Sequence, residues 1–214
     1  MTSREADCDN DVVNQPTAAR PATIYLALGT NLGDREANLR EAARRIAGLG
    51  LTVTRRSSIY ETEPVGFGDQ DWFLNQVIEA QMPRQLMFDL NEHDAVRLKH
   101  SFNVDTQTAL AEQLVLLLDA LLRVEDEMGR RRVIANGPRV IDIDILLCGE
   151  VEGVFGKAPQ LILPHPRLHL RRFVLAPLCE IAPNVIHPTL QKTCRELLAA
   201  LGDPAVVRLY GQRG

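Results

Sequence analysis

The chain lacks the features that mark nucleic-acid-binding, secreted and membrane proteins. Only 5% of its 214 residues are aromatic, and a net charge of −4 leaves no general basic surface for a nucleic-acid backbone. Its four cysteines show no Cys-x-x-Cys spacing, which favours reduced thiols and a cytoplasmic location. No apolar run approaches the roughly 18–20 residues that a membrane helix needs. A hydrophobic content of 45% is enough to bury one core.

The sequence predicts one folded domain behind a tail. Residues 1–21 are polar and contain no apolar signal core, so we expect them to be disordered. Residues 22–214 then form a single domain. Residues 84–107 look like an insertion, for which a surface excursion is the default interpretation.

Hydrophobic periodicity and turn residues predict an α+β fold. The expected elements are a strand over 23–28, a helix to residue 49 capped by Asn31 or Asp34, strands over 51–60 and 73–81, a helix over 110–128, a strand over 140–147, helices over 172–179 and 194–201, and a strand over 206–210. The order β-α-β-β-α-β is that of the ferredoxin-like fold, here with extra C-terminal helices and a strand. The turn from Gly29 to Gly33 lacks the G-x-G-x-x-G pattern of dinucleotide-binding folds.

Two acids, Asp142 and Asp144, alternate with isoleucines at 141, 143 and 145. A β-strand over these residues buries the isoleucines and places both carboxylates on its other face, roughly 6–7 Å apart at the backbone. Carboxylates at that spacing suit one or two Mg²⁺ ions that also bind phosphate oxygens. The alternative is an amphipathic edge strand with a solvated acidic face.

A cluster of arginines precedes the two acids. Arg130, Arg131 and Arg132 follow Gly129, and Arg139 follows a Gly-Pro pair, so we expect a mobile loop between them. Guanidinium groups bind phosphate oxygens bidentately, and such loops close over polyphosphates. Alone, an arginine run indicates a solvated helix end or a weak nucleic-acid patch. Acids beside it favour the metal–phosphate interpretation.

A third cluster, Pro164-His165-Pro166-Arg167, continues to His169 and Arg171. Zinc binding by the two histidines is disfavoured, because no cysteine lies nearby and their spacing is not evidently on a helix. Phosphate binding by His165 and Arg171 is the favoured interpretation.

These motifs together resemble the 6-hydroxymethyl-7,8-dihydropterin pyrophosphokinase family of folate biosynthesis. The resemblance recurs in family order from about residue 22 to residue 190. Its blocks are Tyr25–Asp34, Ser58–Gly66, Phe73–Asn75, Gly137–Asp144 and Pro164–Leu178.

The resemblance implies transfer of pyrophosphate from ATP to the hydroxymethyl oxygen of the pterin, with release of AMP. It also implies catalytic roles for Arg130, Arg132, Arg139, Asp142 and Asp144. The two aspartates would hold two Mg²⁺ ions. The expected ATP-binding residues are Glu125, His165 and Arg171. From the residues alone, Glu125 is equally well interpreted as a solvated helix residue.

For the pterin, the resemblance implies a ring held between two aromatic side chains, Phe73 and Phe173. Without the resemblance both would be assigned to the core. Asn75 offers a donor and an acceptor to the amide-like edge of the ring. The expected backbone contacts come from Thr62, Pro64 and Val65. We expect the protein to bind its small-molecule substrates but neither nucleic acid nor a membrane. We expect it to be a monomer or a weak homodimer.

One departure from the family pattern concerns the arginine loop. Ala135 and Asn136 stand where the family usually has Arg-Trp, and the loop is about one residue shorter. We expect weaker loop closure and slower turnover, which a gain of turnover in Asn136→Trp would support. Two other function classes remain: a catalytically weakened ATP- and pterin-binding module, and an RNA-binding ferredoxin-like domain. Few aromatics and the acids at the strand centre argue against the latter.

Overall fold

The computed structural model describes residues 21–64, 70–83, 106–131 and 137–211. Nearly the whole predicted tail, most of the predicted insertion, Val65, Arg132 and the pair Ala135-Asn136 lie outside the described residues. The strands are β1 Ala22–Thr30, β2 Thr52–Arg56, β3 Tyr60–Thr62, β4 Phe73–Met82, β5 Asp142–Cys148, β6 Gly153–Phe155, β7 Leu161–Leu163, β8 Ile186–His187, β9 Lys192–Thr193 and β10 Val207–Leu209. The α-helices are α1 Arg35–Gly48, α2 Thr106–Glu127, α3 Arg172–Ile181 and α4 Cys194–Ala200.

An antiparallel sheet forms the centre of the fold. Its strands lie in the order β10-β3-β4-β1-β5, and β2 also pairs with β4. The class is therefore mixed α and β, as predicted. Strands β6–β7 and β8–β9 form two small hairpins that the sequence interpretation omitted.

The predicted strand over 51–60 is wrong in one respect, because it is two strands. Arg56 of β2 pairs with Ile78, and Tyr60 of β3 pairs with Asn75. The three residues 57–59 between β2 and β3 therefore lie opposite only two residues of β4, 76 and 77. Ser57 fills this irregularity, because its hydroxyl accepts a hydrogen bond from the Val77 amide at 3.0 Å. A side chain thus replaces a missing sheet hydrogen bond, which satisfies a buried amide.

The two faces of the sheet bury two separate cores. Alternate strand residues such as Leu26, Leu74 and Ile143 pack with α1 and α2. Val77 and Leu146 belong to the other core, with α3 and α4. Because side chains alternate along a strand, the residues between those of the first core face the α3 side of the sheet.

The ends of the helices follow local sequence signals. The Asp34 carboxylate accepts from the Ala37 amide at 2.9 Å, so Asp34 rather than Asn31 caps α1. Thr193 and Glu196 form a capping box at the start of α4. Within the described ranges, no helix combines the length and apolarity that crossing a membrane requires.

Candidate active site

A cleft of about 1000 Å³ opens at one end of the central sheet. Its walls come from β1, β4, β5, the second half of α2 and the start of α3. Most of the predicted site residues line it: Thr62, Phe73, Asn75, Glu125, Arg130, Arg139, Asp142, Asp144, His165, Arg171 and Phe173. Pro64 is described but is not among the lining residues, and Val65 and Arg132 lie outside the described residues.

The two aspartates lie on β5 with their carboxylates towards the cleft. Ile143 and Ile145 are buried in the first core, so the strand has the orientation that its alternation predicts. Burial in the cleft, followed by the neighbouring charge of Asp142, raises the pKa of Asp144 to about 6. A divalent cation stabilises the ionised form of a carboxylate whose ionisation is opposed by burial and by a neighbouring negative charge. Within the described part of the chain, no group of three acidic, histidine or cysteine residues is arranged to hold a metal ion.

Arg130 bridges the acidic strand to α2. Its Nη1 atom lies 2.5 Å from both Glu125 Oε1 and Asp142 Oδ1. Burial opposes its charge, but the carboxylates of Asp142 and Glu125 outweigh this effect and raise the pKa of Arg130. Arg130 is thus a permanently charged group fixed beside the first aspartate.

Glu125 is buried at 3% exposure, so its interpretation as a solvated helix residue is wrong. Its Oε1 atom accepts a hydrogen bond from the Ile143 amide at 2.7 Å. Burial raises its pKa, although Arg130 and the Ile143 amide act in the opposite direction. The contact joins the end of α2 to β5 at the residue between the two aspartates.

His165 faces the second aspartate, with its Nε2 atom 3.9 Å from Asp144 Oδ2. Its Nδ1 atom accepts from the Arg167 amide at 3.2 Å, which assigns the ring proton to Nε2. Burial, together with the charges of Arg171 and Arg167, lowers the pKa of His165 to about 4. At neutral pH His165 is therefore an uncharged N–H donor aimed into the cleft.

His169 does not join His165 in a metal site. Its ring instead packs edge to face against His187, with ring centroids 5.8 Å apart. The two histidines of the predicted cluster thus have different surroundings.

Each of the two predicted pterin-binding aromatics carries an arginine over its ring. The guanidinium carbon of Arg139 lies 5.0 Å from the Phe73 ring centroid, and that of Arg171 lies 5.4 Å from the Phe173 centroid. Arg139 Nη1 is also 3.4 Å from Asp142 Oδ2. The arginines therefore connect the aromatic part of the cleft to its acidic part.

Asn75 lies on the floor of the cleft between these parts. Its Nδ2 atom donates to Thr62 Oγ1 at 2.7 Å. On the central strand, Gly29 is in register with Asn75 on one side and Asp142 on the other. A Cβ atom at Gly29 would lie 3.0 Å from Asn75 Oδ1, so the absence of a side chain keeps this floor open.

Comparison with known proteins agrees with this geometry. The family model described as 7,8-dihydro-6-hydroxymethylpterin-pyrophosphokinase matches residues 25–101 and 95–183. A Bacillus subtilis protein named 2-amino-4-hydroxy-6-hydroxymethyldihydropteridine pyrophosphokinase is 38% identical over 190 residues, covering 88% of this chain and 90% of its own. A Methylorubrum extorquens protein of the same name is 36% identical over 186 residues, covering 86% and 97%. The chain belongs to this pyrophosphokinase family.

Solved structures show the same fold. A Plasmodium falciparum HPPK-DHPS structure with pteroate aligns with a TM-score of 0.56 at 13% identity, over 84% of this chain and 44% of that chain. This chain spans less than half of that solved protein.

Sequence reasoning missed Asn31, which holds the cleft residue Arg139 in place. The Asn31 backbone amide donates to the Arg139 carbonyl at 3.1 Å, and its Oδ1 accepts from the Arg139 amide at 2.8 Å. Its Nδ2 donates to Gln70 Oε1 and to the Asp71 carbonyl, both at 3.0 Å. Asn31 thus joins Arg139, the last arginine of the arginine-bearing segment, to the segment before β4. The only signal in the sequence was a polar residue directly after a buried strand, which we interpreted as a helix cap.

Proposed function

We propose that this chain transfers pyrophosphate from ATP to 6-hydroxymethyl-7,8-dihydropterin, which forms the pterin diphosphate and AMP. The observation that carries the proposal is one cleft in which an acidic pair, several arginines and an aromatic–amide pocket meet. Family membership and the names of the bacterial relatives support the same reaction.

In this reaction the hydroxymethyl oxygen attacks the β-phosphorus of ATP. The bond from that phosphorus to the AMP oxygen breaks, and the hydroxyl proton leaves to solvent. Such transfers depend on in-line positioning and on stabilisation of phosphate charge. The protein side chains therefore act mainly by holding the two substrates.

Asp142 and Asp144 would hold Mg²⁺, and two ions fit the expectation from the family. Bound there, the metal neutralises phosphate charge and orients the transferred group. Arg130 restricts Asp142 to one orientation, since it binds both Asp142 and the buried Glu125.

Arg139 and Arg171 provide positive charge on two sides of the triphosphate, and His165 donates a hydrogen bond through Nε2. Arg132 is proposed as a further catalytic residue from the family resemblance alone. Glu125 acts near the nucleotide through its contacts with Arg130 and β5.

The pterin occupies the aromatic part of the cleft, between Phe73 and Phe173. An amide has two N–H donors and a carbonyl acceptor, so Asn75 retains a donor and the acceptor after its bond to Thr62. The amide-like edge of the pterin matches this pair. Pro64 and Val65 stay proposed pterin contacts from the family resemblance.

We also propose the ferredoxin-like topology. If β2 and β3 are counted as one interrupted strand, the four core strands in chain order are β1, β2–β3, β4 and β5, and a helix follows β1 and another follows β4. In the sheet these strands lie in the order β2–β3, β4, β1, β5, which is the ferredoxin-like arrangement. The single domain over 22–214, the monomer or weak homodimer and the cytoplasmic location stay predictions.

The test is AMP release from ATP, measured with and without the pterin and with and without Mg²⁺. We expect AMP only when both are present. The double variant Asp142→Asn, Asp144→Asn should lose activity at least about a thousandfold, a loss of roughly 4 kcal/mol in transition-state stabilisation. The control Glu150→Gln removes an exposed acid just after β5 and should keep the parent rate. ATP binding without AMP release would instead support the binding-module alternative.

A further inference from the structure

The C-terminal strand β10 is hydrogen-bonded to β3, at the edge of the sheet beside the pterin-binding part of the cleft. Val207 pairs with Thr62 and Arg208 with Glu61. Just before the strand, the Val206 amide donates to Glu63 Oε2 at 3.1 Å, and the Glu63 amide donates to the Val206 carbonyl at 3.3 Å. β10 therefore holds β3 up to the residue after Thr62.

Arg208 extends this contact from β3 to the residue before β4. Its Nη2 and Nε atoms donate to Glu61 Oε2 at 2.7 and 3.2 Å. Its guanidinium carbon also lies 4.7 Å from the ring centroid of Trp72. One side chain thus contacts β3 and the residue that directly precedes β4.

Arg35 at the start of α1 contacts the same two residues from another direction. Its Nη1 atom lies 3.2 Å from Glu61 Oε1 and donates to the Trp72 carbonyl at 2.7 Å. Its guanidinium carbon is 5.8 Å from the Tyr210 ring centroid, just after β10. Glu61 and Trp72 are therefore held by two arginines, one of them on β10.

These held residues are the chain neighbours of two cleft residues. Glu61 precedes Thr62 and Trp72 precedes Phe73, and Thr62 and Phe73 pair across β3 and β4. Thr62 also accepts the hydrogen bond that orients Asn75. Because side chains alternate, Glu61 lies on the sheet face opposite to Thr62.

We propose that Arg208 is a positioning residue for the pterin. It fixes the positions of Glu61 and Trp72, and so the orientation of their chain neighbours Thr62 and Phe73, which shape the pocket that receives the ring. This role depends on the proposed function in one respect only, namely that the ligand of the pocket is the pterin. The Asp142–Asp144 side of the cleft makes no use of this contact, so nucleotide binding is independent of it.

The test is the steady-state kinetics of Arg208→Ala. A cation–π contact and a partly exposed ion pair together correspond to a change of roughly three- to tenfold in affinity. We expect KM for the pterin to rise by about that factor, with KM for ATP within about twofold of the parent. Arg208→Lys keeps the charge near both partners and should recover most of the affinity. The control Arg195→Ala removes an exposed arginine of α4 and should leave both KM values unchanged.

Equal rises of both KM values, or no rise for the pterin, would overturn the proposal. A readout that needs no turnover is the amide NMR spectrum of unliganded Arg208→Ala. The Asn75 side-chain amide and the Thr62 and Phe73 backbone amides should shift, while those of Asp142 and Asp144 should not. If the parent fails to release AMP, the proposed function fails and this spectrum still decides the positioning role. Unshifted amides at 62, 73 and 75 contradict that role.

Discussion

Substitution of Asn31 by alanine tests whether this residue joins two segments of the cleft. The side chain is 2% exposed and makes three hydrogen bonds, one accepted from the Arg139 amide and two donated towards Gln70 and Asp71. Each such bond contributes a net ~0.5–1.5 kcal/mol, and the partly buried Arg139 amide loses its acceptor. We therefore expect Asn31→Ala to lower the free energy of unfolding by about 2–4 kcal/mol.

The assay is urea unfolding followed by circular dichroism, combined with a thermal scan. For a domain of this size the expected loss corresponds to a fall in Tm of roughly 5–12 °C. Activity should fall further than stability alone explains, because the Arg139 backbone shifts relative to the acidic strand. Small misplacements of phosphate-binding groups cost roughly ten- to a hundredfold in kcat/KM.

Two further variants give this prediction its controls. Asn38→Ala removes two hydrogen bonds from a partly exposed side chain of α1, at 3.3 and 2.8 Å, where water replaces them, so it should cost less than about 1 kcal/mol. Asn31→Asp keeps the acceptor for the Arg139 amide but removes the donor, and should fall between parent and alanine. Equal stability of Asn31→Ala and Asn38→Ala would refute the reasoning.

Three other variants test separate parts of the structure. Gly29→Ala places a Cβ atom 3.0 Å from Asn75 Oδ1, so pterin affinity measured by calorimetry should fall roughly tenfold. Glu125→Ala leaves the buried charge of Arg130 without one carboxylate, and the free energy of unfolding should drop by about 3 kcal/mol in denaturant titration. The pKa of Glu61 is lowered by hydrogen bonds from arginines, so the ionised form stabilises the fold above the unfolded-state pKa. Glu61→Gln should therefore cost about 1 kcal/mol at pH 7, and its deficit should vanish as the pH falls through the lowered pKa.

Each of these variants has a matched control. Gly48→Ala adds a Cβ atom with nothing within 4 Å and should leave pterin affinity unchanged. Glu127→Ala removes an exposed glutamate from the same helix and should cost under about 1 kcal/mol. Glu150→Gln removes an exposed acid and should leave the free energy of unfolding at pH 7 unchanged. A variant that matches its control rejects the contact assigned to it.

The orientation of the acidic strand could be predicted because alternation is a property of the backbone. Isoleucines at every second position require one buried face, and the aspartates between them must then face the other way. The long helix and the central strands were predictable for the same reason, since their apolar periods are regular. Boundaries differed by a few residues, as expected where end hydrogen bonds decide them.

Contacts between distant segments could not be predicted from local pattern. The burial of Glu125 depends on Arg130 and on a β5 amide that lies 18 residues further along the chain. The split of the second strand depends on a hydroxyl filling a gap opposite β4. The family resemblance supplied the grouping of the site residues, whereas Asn31 and Gly29 emerged only from the three-dimensional register.

The pairing of one glycine with Asn75 and with Asp142 has a consequence for acceptor length. In the proposed function the acceptor ring lies at Asn75 and the nucleotide at Asp142, on strands two inter-strand spacings apart, which is about 10 Å in any antiparallel sheet. That interval is a property of the peptide backbone, so exchanging side chains cannot lengthen or shorten it. An acceptor with a longer link between its ring and its hydroxyl would place the hydroxyl oxygen beyond the β-phosphorus of ATP. Accommodating such an acceptor would require a change in the pairing register of a strand.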